Sequence, residues 1–298
     1  MRLRFPWQDT AQRIRTALEE GTVAGEGLHS VIAGGSGGRP KFDTTVAHIA
    51  RVQDYWLGGK DNFAADREAG EQAIAAYPDM VTSVRATRAF LARCVRYLAG
   101  EAGIRQFLDI GTGIPTGNNT HQVAQSVAPE SRIVYADNDP VVLSHARALL
   151  TSKPEGVTAC VDADLRDTGH LLAEAARILD FGQPIAVMLV AVLQFIPEDH
   201  DPYGIVTRLL AAAPSRSYLV IAHPASDIEA EAMADMAKRL NRLMAQQVTL
   251  RGHDGVSRFF GGLTLLEPGI VRAPEWRPAC ELEAASASTT WSGVGRKP

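Results

Sequence analysis

The stretch Phe107-Leu108-Asp109-Ile110-Gly111-Thr112-Gly113-Ile114-Pro115 constrains the fold of this chain more than any other. Phe107 to Ile110 is apolar apart from one acid, and two glycines one residue apart follow it. Such a run reads as a buried parallel strand that stops in a tight turn. Gly111 and Gly113 permit positive φ and let a ligand come close to the backbone. Thr116-Gly117-Asn118-Asn119-Thr120 and an Ala/Val-spaced segment come next, which marks a helix start. Strand, glycine turn and helix N-terminus are the parts of a nucleotide-binding crevice.

A lone Gly-x-Gly is also an ordinary turn. Two later stretches raise its meaning. Arg132-Ile133-Val134-Tyr135-Ala136-Asp137-Asn138-Asp139-Pro140 is a second apolar strand ending in an acid. Asp137 lies a little over twenty residues beyond Gly113, about the distance expected of a carboxylate that takes ribose hydroxyls. Asp139 and Pro140 then open a helix as N-cap and first helical residue. Val161-Asp162-Ala163-Asp164-Leu165 repeats the pattern of a short strand followed by an acid. The third glycine of the dinucleotide fingerprint is missing, because position 116 is Thr. That glycine lets helix and strand pack closely beneath a pyrophosphate. S-adenosylmethionine has no pyrophosphate, so the motif leans toward an adenosyl-sulfonium ligand.

The 298 residues suffice for one large α/β domain with additions, or for two small ones. A net charge of −4 and a pI of about 6.1 favour neither nucleic acid nor anionic membranes as partners. Cys94, Cys160 and Cys280 are far apart, so neither a zinc site nor a disulfide framework is indicated. The cytoplasm is the expected compartment. Met1 to Trp7 lacks the apolar core of a signal peptide, and no apolar run reaches membrane-spanning length.

Three regions are expected. Residues 1–40 read as an appendage, with a short helix from Asp9 to Glu20 and a flexible Gly34–Gly38 linker, largely disordered from 21 to 40. Residues 41–104 read as a helical lid region, and 105–298 as the ligand-binding α/β domain. Ile49, Val52 and Trp56 share a helical face that ends at Gly58 and Gly59. Tyr55, Gly58, Gly59, Lys60 and Asn62 make a plausible mobile lid of aromatic and polar residues. Met80 to Leu98 reads as a helix with Arg85, Arg88 and Arg96 available to hold a carboxylate. Ile185–Val190 and Ser217–Ala222 are further buried strands, with Gln194 after the first and His223 closing the second. Ser226 and Glu229 form a capping box for a helix running to about Gln247. Leu263–Leu266 and Thr289–Gly295 complete the strands, the last without a following helix, which suggests an antiparallel strand near one edge.

Asp109-Ile110-Gly111-Thr112-Gly113, then Asp137, then Asp164-Leu165 resembles a class I S-adenosylmethionine-dependent methyltransferase. More narrowly, the chain resembles an actinobacterial family of such enzymes long catalogued as a domain of unknown function. The shared stretches are Ala50–Val52 with Tyr55–Phe63, Gln106–Pro115, Ala136–Pro140, Ala163–Asp167 and Trp291–Pro298, and the likeness spans about residues 43–298. It implies a Rossmann-like, seven-stranded, mostly parallel sheet with the last strand antiparallel. It also implies that Asp109, Gly111, Thr112 and Gly113 cradle the methionine part of S-adenosylmethionine. Asp137 would take the ribose hydroxyls with Asn138 beside the adenine, and Asp164 and Leu165 would read the adenine edge. Two positions depart from the family's pattern: Gln194 replaces an expected His, and Thr87 an expected Asn.

Methyl transfer needs alignment first and a base only for a protonated nucleophile. His223 is the candidate base, with Tyr55 near the acceptor. No Asn/Asp-Pro-Pro-Tyr/Phe motif follows the fourth strand, which with the acidic pI points to a small-molecule acceptor. Two other readings stand beside it: a non-catalytic S-adenosylmethionine-binding protein and an NAD(P)-dependent oxidoreductase.

Overall fold

Buried apolar runs flanked by amphipathic helices assemble here into one wound sheet. The computed structural model describes residues 43–149 and 152–298. The expected appendage at 1–40, with its Asp9–Glu20 helix and glycine linker, lies outside the described residues. Five strands are parallel: β1 (Gln106–Ile110), β2 (Arg132–Asp137), β3 (Val157–Asp162), β4 (Ala186–Val190) and β5 (Tyr218–Pro224). Two-residue strands β6 (Thr264–Leu265) and β7 (Val271–Arg272) and the long β8 (Thr290–Arg296) follow. The order is β3-β2-β1-β4-β5-β8-β6, with β7 also on β8. β8 runs antiparallel to β5, Val220 opposite Val294, and carries β6 and β7 antiparallel on its far side. The sheet thus has eight strands where seven were expected, because Val271–Arg272 adds a short pairing on β8.

Nine residues separate the end of β1 at Ile110 from the start of α4 (Thr120–Val127). α1 (Ile49–Trp56), α2 (Ala64–Ala76) and α3 (Met80–Gly100) precede the sheet. α5 (Pro140–Leu149), α6 (Thr168–Ala175), α7 (Pro202–Ala212), α8 (Ala230–Leu243) and α9 (His253–Ser257) follow α4. Strand residues alternate between faces. Leu108, Val134, Val187 and Ile221 face Leu171, Ile205 and Leu209 of α6 and α7. Phe107, Ile133, Met188 and Val220 face Phe90, Leu91 and Val95 of α3 and Val123 of α4. Covering both faces is what makes the parallel strands apolar on each side. A third cluster joins α1, α2 and α8 through Val52, Trp56, Ala69, Ala73, Met233 and Met236. The described residues fall in one unit, so α1, α2 and α3 belong to the same body as the sheet.

The chain crosses from β3 to β4 over the far side of β1, so β1 and β4 flank the point where the winding reverses. Ligands of such sheets sit outside the strands' carboxyl ends at that point. One local expectation changes. α8 starts at Ala230, not after Ser226, and ends at Leu243. Asp227 is held as a loop residue instead, its carboxylate accepting from His253 N at 2.8 Å and Trp291 Nε1 at 2.7 Å. Those two bonds, made across 26 and 64 residues of chain, outweigh the local capping preference. The helix after β3, Thr168–Ala175, is started by Asp167, whose side chain accepts from His170 N.

Candidate functional site

The glycine turn after β1 has the geometry that its composition implies. Gly111 has φ +73° and donates its N–H to Ala136 O at 2.8 Å. A Cβ there would lie 2.5 Å from Val192 Cβ, so glycine is required twice over. Gly113 has φ +68° and donates its N–H to Asp137 Oδ2 at 3.0 Å. Asp139 N donates to the other oxygen, Asp137 Oδ1, at 3.0 Å. Backbone donors from two loops thereby orient one carboxylate, and each oxygen retains a lone pair for a ligand. Burial raises the Asp137 pKa, against these two bonds.

Asp109 is buried in β1 and accepts from Thr120 Oγ1 at 2.6 Å. Burial pushes its pKa up to about 6, more than the Thr120 hydroxyl and the Arg88 guanidinium pull it down. Arg88 Nη2 donates to Gly117 O and Asn119 Oδ1, each at 3.3 Å, so the same α3 side chain ties the glycine loop. Asp164 sits elsewhere electrostatically. Arg166 and Asn138 donate to its oxygens, and the Arg166 bonds foremost push its pKa down to about 2.

Two cavities open at these strand ends. The larger, about 400 Å³, is lined by Gly113, Asp137, Asn138, Asp164 and Leu165, with His48 and Ala50 opposite. Its size is that of a small-molecule site, about 300–1,000 Å³. The smaller, about 100 Å³, is lined by Asp109, Thr112, Arg88 and Gln194 and by apolar residues of α1, α3 and α8. Ile49, Gln53, Gly111, Ala191 and Phe195 line both, so the cavities meet at the glycine turn. Ala191 takes φ +58°, a conformation that alanine rarely adopts. Strain of this kind concentrates where a site needs a particular backbone path.

All eight residues expected around the cofactor therefore gather at these two cavities, as does Gln194. The lid residues do not. Tyr55 donates its hydroxyl to Glu71, and Gly58, Gly59, Lys60 and Asn62 line neither cavity. Asp54 Oδ2 accepts from Asp61 N and Asn62 Nδ2, both at 2.8 Å, and folds that glycine turn onto itself. The face of α1 that meets the site carries Ile49, Gln53 and Trp56 instead. Helical spacing from Ile49 held that signal, but the aromatic-glycine composition drew attention to the wrong side. Of the four arginines of α3, Arg88 lines the site.

His223 is also corrected. It is 0 % exposed and lies within β5, facing Phe259. Arg251 Nη1 donates to its Nε2 at 2.8 Å, so Nδ1 carries the proton and donates to Pro224 O at 2.9 Å. Both nitrogens are engaged, and burial first, then Arg251, holds its pKa at about 3. Strand alternation sends residue 223 to the sheet face opposite Pro224, which lines the smaller cavity. His223→Ala is expected to leave turnover within about tenfold of the parent, under 1.4 kcal/mol. Its cost falls on stability, on the order of 1–3 kcal/mol for the partner that Arg251 loses. A folded variant that turns over a hundredfold more slowly, compared at equal cofactor saturation, would return His223 to the chemistry.

The sequence profile described as S-adenosyl methyltransferase matches residues 36–298. The chain belongs to this family. A DUF574 family protein from Streptomyces avermitilis MA-4680 is 43% identical, with 86% of this chain and 99% of that one covered and a TM-score of 0.83. A candidate methyltransferase from Thermobifida fusca YX is 39% identical over 85% of this chain and 96% of that one, with a TM-score of 0.78. No curated protein matches the chain by sequence. The protein is thus an S-adenosylmethionine-dependent methyltransferase of class I fold, and the nicotinamide and non-catalytic readings are set aside. Among the described residues, no helix of the methyltransferase is long and apolar enough to cross a membrane.

Proposed function

We propose that the enzyme methylates a small molecule held in the smaller cavity, with S-adenosylmethionine in the larger. The observation that carries this reading is the junction of the two cavities at Gly111 and Ala191. One side is rich in oriented carboxylates and the other is mostly apolar. The residues fit the cofactor. Asp137 has lone pairs free for a diol, and the positive φ of Gly111 and Gly113 leaves the backbone uncovered. In this reading Asp137 takes the ribose hydroxyls, and Asn138, Asp164 and Leu165 border the adenine. Asp109 faces the ammonium of the methionine part, and Arg88 its carboxylate. When bound, the cofactor supplies a methyl group already activated on a sulfonium.

The protein's task is then alignment. Apolar walls keep water from the cavity, and fixed geometry converts a bimolecular step into one within a complex. A small-molecule acceptor is supported by the small volume of the cavity, about 100 Å³, and by the net charge of −4. Cytoplasmic location belongs to the same proposal and agrees with three free thiols, Cys94, Cys160 and Cys280.

The test is a thermal melt with S-adenosylhomocysteine. A ligand of the native state at a hundred times its Kd stabilises by about 2.7 kcal/mol. A melting curve unmoved at millimolar ligand, in protein shown to be cofactor-free, would sink the proposal. A pH dependence goes with it. Asp109, raised to about 6 when free, must be ionised to face an ammonium. Affinity is therefore expected to rise with pH, by roughly tenfold between pH 5 and pH 7 for one linked proton. Isothermal titration across that range checks the sign, and affinity falling with rising pH would remove Asp109 from the ammonium.

A further inference from the structure

The smaller cavity has polar groups, but most are already spent within the protein. Thr87 Oγ1 donates to Ser83 O at 3.0 Å, and Ser83 Oγ accepts from Thr289 N at 3.2 Å. Gln194 is different. It is 5 % exposed, and its Nε2 donates to Ala191 O at 2.9 Å, which fixes the orientation of the amide. Its Oε1 is buried and has no hydrogen-bond partner. A buried acceptor left open is costly and calls for an explanation. In a cavity, the explanation is a donor on the ligand.

The titratable groups of this cavity narrow the ligand further. Among the described residues that line it, these are Asp109 and Arg88, with no His, Lys, Cys, Tyr or Glu. Both belong to the end assigned above to the methionine zwitterion. A hydroxyl nucleophile must lose its proton near the transition state and needs a base there. An alkylammonium would enter without a counter-charge, which apolar walls disfavour. An uncharged amine needs neither. Met80, Met233 and Met236 line the wall, and methionine adapts well to an aromatic ring.

Building on the two-cavity reading, we propose that the methyl acceptor is an arylamine, an apolar molecule with an uncharged N–H nitrogen that hydrogen-bonds to Gln194 Oε1. The nitrogen lone pair forms the new N–C bond. The C–S bond breaks, and its electron pair goes to sulfur. The N-methylated cation leaves the cavity and gives its proton to bulk water. Positive charge grows on nitrogen during the step, and the Gln194 carbonyl dipole faces it. Gln194 thereby orients the nitrogen and favours it over oxygen.

The experiment uses the full chain. Protein saturated with S-adenosylhomocysteine is titrated in a calorimeter with aniline and 1-naphthylamine, then with phenol and 1-naphthol. Transfer is followed with S-adenosylmethionine labelled in its methyl group. The amines should bind and be methylated, and the phenols should react about 10²–10⁴-fold more slowly, the scale of a lost catalytic proton acceptor. Gln194→Met should lower kcat/KM for the amine by about tenfold or more, the loss of one buried hydrogen bond. It should leave S-adenosylhomocysteine affinity and melting temperature near the parent's. Should that variant not fold, the parent's amine-to-phenol ratio decides alone. If S-adenosylhomocysteine binds but neither amine does, the inference falls and the two-cavity reading stands. Phenols reacting as fast as amines, or Gln194→Met matching the parent, overturn it too. Protein that binds no S-adenosylhomocysteine removes the underlying reading first.

Discussion

Gly111→Val is expected to abolish measurable cofactor binding and to lower the melting temperature by roughly 5–15 °C. Two costs add. A branched residue at φ +73° is strained by about 1–2 kcal/mol. Its Cβ would also lie 2.5 Å from Val192 Cβ, an overpacking that costs about 1–3 kcal/mol. At about 2–4 °C per kcal/mol for a domain of this size, the sum gives the stated shift. The loss of binding has a separate cause, because relief of the clash must displace Val192 or the turn itself. Gly113→Val is the control. The nearest atom to a Cβ there is Gln53 Oε1 at 3.7 Å, so only the strain of φ +68° remains. It should lose less stability while its side chain enters the cavity and weakens binding. Differential scanning fluorimetry and calorimetry on both variants check this. Equal melting temperatures for the two would mean that the Val192 contact is not what holds the turn.

Asp137→Ala is expected to weaken S-adenosylhomocysteine binding by about 1.5–3 kcal/mol, the range for hydrogen bonds to a charged group. That is roughly a 10- to 150-fold rise in Kd. Stability should change little in the opposite sense to binding. The variant removes a carboxylate that burial disfavours, but it also orphans the N–H groups of Gly113 and Asp139. Asp137→Asn separates the two effects, since it keeps an acceptor oxygen and discards the charge. Parent-like affinity in a folded Asp137→Ala variant would place the ribose elsewhere.

How much of this was readable before any coordinates depends on how local each cause is. The Phe107–Pro115 motif works over nine residues, and its strand, its turn and both positive-φ glycines stand as read. Asp137 ends β2 and Asp164 lies two residues past β3, so their place at the cavity follows from the strands that carry them. Asp139 likewise accepts from Val141 N at the start of α5, as its place before Pro140 implies. Ser226 shows the limit of local reading, because bonds from distant His253 and Trp291 hold its neighbour Asp227 in a loop.

The sequence by itself determined the parallel sheet, the glycine turn and the spacing of its carboxylates, since these follow from runs of side chains that act on their own backbone. Only the tertiary structure decided which face each outlying residue presents. His223 closes a strand as expected, yet the alternation of β5 turns it away to Arg251. Tyr55 lies on the helix that meets the site, yet its hydroxyl goes to Glu71. Gln194 looked like a departure from a pattern, and packing made it a buried acceptor without a partner, in the wall of a cavity. The difference is physical: a strand or turn forms from neighbours in sequence, whereas a side chain's partner is chosen by elements that meet only when the chain has folded.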